Sequence, residues 1–247
     1  MRLTVLGGCG AWPAAGQACS GYLVEHDSFR LLIDPGYAIV PRLLELTDAV
    51  DVDAVLVSHS HPDHCADLHP LLRARTLREE PARALPVHTL PGAVDRVLAL
   101  DDSGALRGAF AVVQFAAGDR FDVGPFQVQT WQLPHWVPNA GIRLTADGTA
   151  LAYTGDTGPS PALVELARGA DLFLAEASFP ERVPASAAEY LSTARQAGQD
   201  AARAAAGRLL LTHLLPGTAP DLAEDAARVA FAGEVGIARG GVVADLG

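Results

Sequence analysis

Short apolar runs, many of them β-branched, recur along the chain between glycine-, proline- and aspartate-rich breaks, and each run fits a strand better than a helix. Residues 2–6 (RLTVL) form the first such run. Residues 21–25 and 29–33 flank His26-Asp27-Ser28 and predict a hairpin. The run Ala54-Val55-Leu56-Val57 is uniformly hydrophobic and predicts a strand buried on both faces. Residues 109–114, 120–123 and 126–133 predict an antiparallel series, with Gly118-Asp119 and Gly124-Pro125 as turns. Residues 141–145 and 150–154 flank Asp147-Gly148, a strong hairpin signal. Residues 87–89, 171–176 and 208–212 predict further strands, and the last residues a final one.

Helical spacing of apolar residues marks 41–47, 66–79, 92–100, 161–167, 192–206 and 220–231. Pro41 suits a first helical turn. Ser192 or Thr193 stands near the start of the alanine-rich helix, and Asp221, Glu224 and Asp225 suit the N-terminal half of the last one. No low-complexity linker divides the chain, so residues 1–247 are expected to form one domain. Strands and helices alternate twice in a similar order. That predicts an α/β protein of two similar halves, with mixed sheets carrying helices on their outer faces.

Composition narrows the function classes. Apolar residues make up 49%, enough for a large core. Eighteen Lys and Arg against 29 Asp and Glu leave a net charge of −11, with no basic run, so long nucleic acid is an unfavoured partner. Three cysteines without zinc-type spacing argue against a disulfide framework and fit a reducing cytoplasm. No apolar run approaches the ~18 residues of a membrane span.

The chemistry concentrates in Ser58-His59-Ser60-His61-Pro62-Asp63-His64, directly after the 54–57 strand. Open α/β sheets present functional groups at such carboxyl ends. His59 and His61, two apart in extended chain, project to one side, and Pro62 turns Asp63 and His64 into another direction. One short segment thereby offers two pairs of ligands to two neighbouring metals. Three further candidates stand at strand ends: His135, Asp156 and His213. Asp156 brings two oxygens and a charge, as a bridging ligand needs. Each of the three alone reads as a hydrogen-bonded strand-end residue; beside the first cluster, each reads as a ligand.

Taken in order, His59-x-His61-x-Asp63-His64, His135, Gly155-Asp156-Thr157 and Thr212-His213, with Leu32-Ile33-Asp34-x-Gly36 upstream, resemble the metallo-β-lactamase-fold hydrolase superfamily over essentially the whole chain. The resemblance implies a four-layer αββα sandwich of two mixed sheets, with two divalent ions in the cleft between the halves. These are usually zinc, with manganese or iron as alternatives. It implies that His59, His61 and His135 hold one ion, Asp63, His64 and His213 the other, and that Asp156 bridges them. Asp156 in place of a cysteine, the segment Ala175-Glu176-Ala177-Ser178-Phe179 and the helix start Leu191-Ser192-Thr193-Ala194 resemble the ribonuclease Z-like phosphodiesterase branch. The sequence departs from that branch where a histidine is usual, at a position matched here to Tyr190. The spacing also leaves only 20 residues between His135 and Asp156, with no sign of a tRNA-gripping arm.

The expected function is a hydrolase of small phosphodiesters of nucleotide type, using a hydroxide that bridges the two ions, with Asp63 orienting the water or taking its proton and Tyr190 donating to the phosphoryl or leaving oxygen. Carboxylic ester, lactone or thioester hydrolysis at the same site is the first alternative, and a non-catalytic metal-binding or sensing protein the second. A homodimer is compatible with the resemblance. Asp34 and Glu176 are expected to support ligand histidines. His88 and His69 read as structural, His26 as solvent-exposed in its turn, and Cys65 as a small buried apolar residue. Trp12 and Trp136 fit a substrate wall or core packing equally.

Overall fold

The structure, a computed structural model, describes residues 1–101 and 104–247. In chain order the elements are β1 (Arg2–Gly7), β2 (Gly21–His26), β3 (Phe29–Ile33), α1 (Ile39–Leu44), β4 (Ala54–Val57), α2 (Pro62–Cys65), α3 (Leu68–Thr76), β5 (Leu85–Thr89), α4 (Asp95–Leu98), β6 (Phe110–Gln114), β7 (Arg120–Val123), β8 (Phe126–Leu133), β9 (Asn139–Ala146), β10 (Thr149–Tyr153), α5 (Ala162–Ala167), β11 (Leu172–Glu176), α6 (Ala194–Ala204), β12 (Arg208–Thr212), α7 (Pro220–Arg228), β13 (Glu234–Ile237) and β14 (Val243–Asp245). They build two seven-stranded sheets, in the orders β14-β1-β2-β3-β4-β5-β6 and β13-β12-β11-β10-β9-β8-β7. Each sheet is mixed. The strands β3 to β6 and β10 to β13 run parallel, and the rest pair antiparallel.

The uniform hydrophobicity of the central strands follows from burial on both faces. On β3 and β4, Leu31, Ile33, Ala54 and Leu56 face the second sheet, where they meet Phe126, Ile142, Leu144, Tyr153 and Leu174. Leu32, Val55 and Val57 point the other way, onto Ile39, Leu43, Leu68, Leu71 and Leu72 of α1 and α3. The second sheet repeats the arrangement with α5, α6 and α7, through an alanine-rich layer that includes Ala197, Ala201, Ala223 and Ala227. The result is the expected helix–sheet–sheet–helix sandwich. Thr193 caps α6 with a full capping box: its hydroxyl takes the Gln196 N–H, and the Gln196 side chain takes the Thr193 N–H.

The structure corrects four local expectations. Residues 110–114 do not pair with 120–123. They add to β5 in parallel at the edge of the first sheet, and the next strand belongs to the second sheet. The apolar run marked a strand; the open edge of β5 chose its partner. The helix expected at 66–79 begins earlier, at Pro62, because extended His61 leads directly into Pro62 at the first helical position. It then breaks at Ala66-Asp67, where the Asp67 carboxylate accepts the Val40 N–H (2.8 Å). β5 extends back through Pro86, which stood in the sequence as part of a breaker. His26 is not open to solvent: its side chain is 13% exposed, bonded to Asp147 (3.0 Å) and tilted against Phe126. Among the described residues no helix is long and apolar enough to cross a membrane.

Candidate metal centre

The carboxyl ends of β4, β8, β10 and β12 converge on one cleft, and each is followed within three residues by a candidate ligand. β4 delivers His59 and His61, then Asp63 and His64 on the single turn of α2. β8 delivers His135, β10 Asp156 and β12 His213. All seven sequence-predicted ligands come together there.

They divide into two groups that share Asp156. In one, donor atoms of His59, His61, His135 and Asp156 lie within 4.8 Å of one another; in the other, those of Asp63, His64, Asp156 and His213 do. In the first group His61 points in through Nδ1, 3.2 Å from His59 Nε2 and 2.9 Å from His135 Nε2. Three ring nitrogens converge there with Asp156 Oδ2, which is 3.7 Å from both His59 Nε2 and His135 Nε2. In the second, His213 Nε2 lies 3.2 Å from Asp63 Oδ2 and 3.1 Å from Asp156 Oδ2, while His64 Nε2 lies 3.2 Å from Asp156 Oδ1. Five imidazoles and two carboxylates face one another with no lysine or arginine among them. His64 Nε2 and Asp156 Oδ1 are buried without a hydrogen-bond partner. Leaving such atoms unpaired is costly, so the donor set fits divalent cations.

The outer nitrogens of the ligands are fixed by partners, most of which carry no sequence signal. Asp34, fully buried, accepts four bonds: Ser58 N–H at Oδ1 (2.7 Å), and at Oδ2 Ser58 Oγ (2.6 Å), Tyr153 Oη (2.7 Å) and His64 Nδ1 (2.8 Å). Because Ser58 Oγ donates to Asp34, it accepts from His59 Nδ1 (3.0 Å), which leaves His59 Nε2 as a lone pair for the site. His213 Nδ1 donates to Ser178 Oγ (2.9 Å), which donates on to Glu176 Oε1 (2.6 Å). Glu176 Oε2 takes the Ser192 N–H (2.7 Å). His135 Nδ1 donates to the Tyr190 carbonyl (3.0 Å). Asp63 Oδ2 accepts from the Ala11 N–H (2.9 Å), and Asn139 Nδ2 holds the Asp156 carbonyl (2.7 Å).

The backbone is held tightly as well. His213, Asp34 and Ala11 all have positive φ (61°, 47° and 62°), which non-glycine residues rarely adopt and which concentrates at functional sites. Gly36 is required by proximity, since a Cβ there would overlap the Asp63 carbonyl. Gly155 combines φ of 59° with a Cβ position that would overlap Asn139 Oδ1, so only glycine carries the chain into Asp156.

The electrostatics of the two groups differ. Burial, with His64 beside it, holds His59 well below the usual histidine range, and burial lowers His61 and His135 too. These imidazoles are neutral and ready to accept a cation. Burial also acts against charge on His213, but Asp156 and Asp63 outweigh it and push His213 up to about 10. His64 is raised well above its ordinary value by the same carboxylates against the same burial. For Asp63 and Asp156 burial is again the largest single influence and raises them. His213 and His64 together override it, and both carboxyls sit below the usual range. In the absence of cations, protons therefore neutralise the second group. Burial pushes Glu176 up to about 8.

Of the other candidates, Asp34 and Glu176 support ligand histidines as expected. His88 stacks on Phe121 between the sheets (ring centroids 5.7 Å apart), and His69 pairs with Asp101 (2.9 Å), so both are structural. Cys65 is buried. Trp12 and Trp136 are 52% and 51% exposed, which excludes core packing. Tyr190 stands at the rim, its carbonyl on His135 and its ring tilted against Trp136 (centroids 5.1 Å apart).

Comparison with known proteins agrees with this geometry. The sequence profile described as "Beta-lactamase superfamily domain" matches residues 29–214. The chain is 30% identical over 246 residues to the probable metallo-hydrolase YhfI of Bacillus subtilis, covering 98% of this chain and 99% of that one. The crystal structure of YhfI superposes with a TM-score of 0.90, covering 100% and 99% of the two chains. Ribonuclease Z of Kineococcus radiotolerans is 30% identical over 275 residues, covering 92% of this chain and 87% of that one. A diphosphatase of the PhnP family shares the fold, with a TM-score of 0.75, 18% identity and coverage of 99% and 97%.

Proposed function

The chain belongs to the metallo-β-lactamase superfamily, and from that premise we propose that it is a metal-dependent hydrolase of small phosphodiesters of nucleotide type. The observation that carries the reading is the pair of ligand groups sharing Asp156, built of nitrogen and oxygen donors only. The 30% identity to a ribonuclease Z over most of both chains supports the phosphodiester.

His59, His61 and His135 with Asp156 would hold one divalent ion, and Asp63, His64 and His213 with Asp156 a second; zinc suits the His/Asp set, and manganese or iron would also be accepted. Bound there, such ions polarise a phosphoryl oxygen and make water nucleophilic at neutral pH. The protein supplies the rest. Asp63 is fixed on one oxygen by the Ala11 N–H, and its other oxygen orients the attacking water and takes its proton. Tyr190, whose carbonyl holds His135, would donate its hydroxyl to the leaving oxygen. The net charge of −11 disfavours long polyanions and leaves small esters as substrates.

The test is turnover of bis(p-nitrophenyl) phosphate by protein loaded separately with zinc and manganese, beside His61→Ala and Asp63→Ala. The expected result is ion-dependent turnover, abolished in His61→Ala and reduced by orders of magnitude in Asp63→Ala, which still retains at least one ion. Full activity of Asp63→Ala would remove its role. No turnover by doubly loaded protein that opens lactones would replace the phosphodiester with a carboxylic ester.

A further inference from the structure

We propose that Trp136 and Tyr190 form a stacking platform that selects phosphoesters bearing a planar ring, a reading that rests on the phosphodiesterase function proposed above. Trp136 follows the ligand His135 directly, and its ring meets the His135 imidazole edge-on at 5.1 Å between centroids. On another side it leans on Tyr190 at 5.1 Å with 35° between the planes. Trp136 nevertheless stays half open to solvent, at 51% exposure. An indole so placed loses apolar burial for no structural return. Trp131, by contrast, packs against the core of the second sheet.

The segment that carries Tyr190 is bonded to the ligand groups. The Tyr190 carbonyl accepts the His135 Nδ1 proton (3.0 Å), and the Tyr190 N–H is tied to the Ala187 carbonyl (2.9 Å). These bonds tie the Tyr190 backbone, which carries the ring under Trp136, to the ligand imidazole. Because Trp136 touches the imidazole of the ligand His135, a ring stacked on its open surface would lie beside the first ligand group. Ions in the ligand groups would hold any phosphoryl group alike, and a net charge of −11 adds no long-range attraction, so ring contact is what would discriminate between esters. Stacking on tryptophan is tolerant of the base and needs no ordered side-chain donors.

Calorimetry on the ion-loaded protein separates ring from phosphate, with adenosine 5′-monophosphate and ribose 5-phosphate as probes. The wild type is expected to bind the adenosine compound about ten-fold more tightly, as a single base–aromatic stack provides. Trp136→Ala should erase that preference while holding ribose 5-phosphate as before, and Trp136→Phe should keep most of it. Tyr190→Leu, which leaves the indole in place but unsupported, should lose part. Equal affinity for both probes in the wild type, or a preference that survives in Trp136→Ala, would overturn the platform and leave the phosphodiester reading standing. Failure of both probes to bind would overturn the platform, and the phosphodiester reading falls separately, with absent turnover of bis(p-nitrophenyl) phosphate.

Discussion

Asp34→Asn exchanges one oxygen for an NH2 group and should nevertheless destabilise the fold and weaken the second ligand group. Every contact of the Asp34 carboxylate is an incoming donor: the Ser58 N–H at Oδ1, and Ser58 Oγ, Tyr153 Oη and His64 Nδ1 at Oδ2. An asparagine must turn its NH2 toward one side or the other. Toward Ser58 N it sets two buried N–H donors face to face. Toward Oδ2's three partners it sets the amide against three. The first orientation is cheaper and still strands two donors, at about 1–3 kcal/mol each. It also removes the negative charge opposite His64. The total, about 3–5 kcal/mol, corresponds to a fall in Tm of roughly 10 °C for a chain of this size. The amide oxygen still accepts from His64 Nδ1 but without the charge, so metal affinity should fall by about ten-fold, the low end for a disturbed partner of a ligand histidine. Thermal unfolding with and without zinc, and calorimetric zinc titration, measure both effects. An Asp34→Asn protein that melts within about 2 °C of wild type and keeps both ions within two-fold would refute the assignment of these hydrogen bonds.

Ser178→Ala should weaken the second ion selectively, by about 10–100-fold, because His213 Nδ1 loses its acceptor while the partners of His59 and His135 are untouched; an equal loss at both ions in the titration would contradict it. pH should act in opposite directions with and without metal. In the metal-free protein His213, raised to about 10, and Glu176, raised to about 8, bind protons more tightly when folded than unfolded. Their stabilisation is full below their unfolded values of about 6.5 and 4.3 and is lost as pH climbs through about 8 and 10. Above pH 7, where the lowered His59, His61 and His135 are neutral in both states, denaturation midpoints of metal-free protein should therefore fall toward pH 9, while zinc affinity, which requires His213 and His64 unprotonated, should rise over the same interval. A flat midpoint would show that these groups titrate alike in both states.

Much of the centre was legible because its signal is local. His59, His61, Asp63 and His64 sit within six residues after a buried strand, and alternation on one extended segment followed by a proline turn fixes where each points. His135, Asp156 and His213 follow strands directly, so their position at the site end is a property of strand order alone. The strands were legible for the same reason: β4 is hydrophobic at every position because each of its faces meets a different core. What the sequence left open is what depends on contacts between distant segments. Nothing near residue 153 announces that Tyr153, from the second sheet, bonds Asp34 of the first across 119 positions. Ala11 acts through its backbone N–H, which any residue has, and Ser178 and Asn139 are ordinary polar residues until the sheets bring them to His213 and Asp156. The pairing of β6 with β5 rather than β7 was likewise beyond a pattern that marks apolar faces but not partners. Chain order and side-chain spacing thus determined which residues could bind metal. The packing of two sheets decided which atoms hold them in place, because hydrogen bonds between segments form only once the register of each sheet is set.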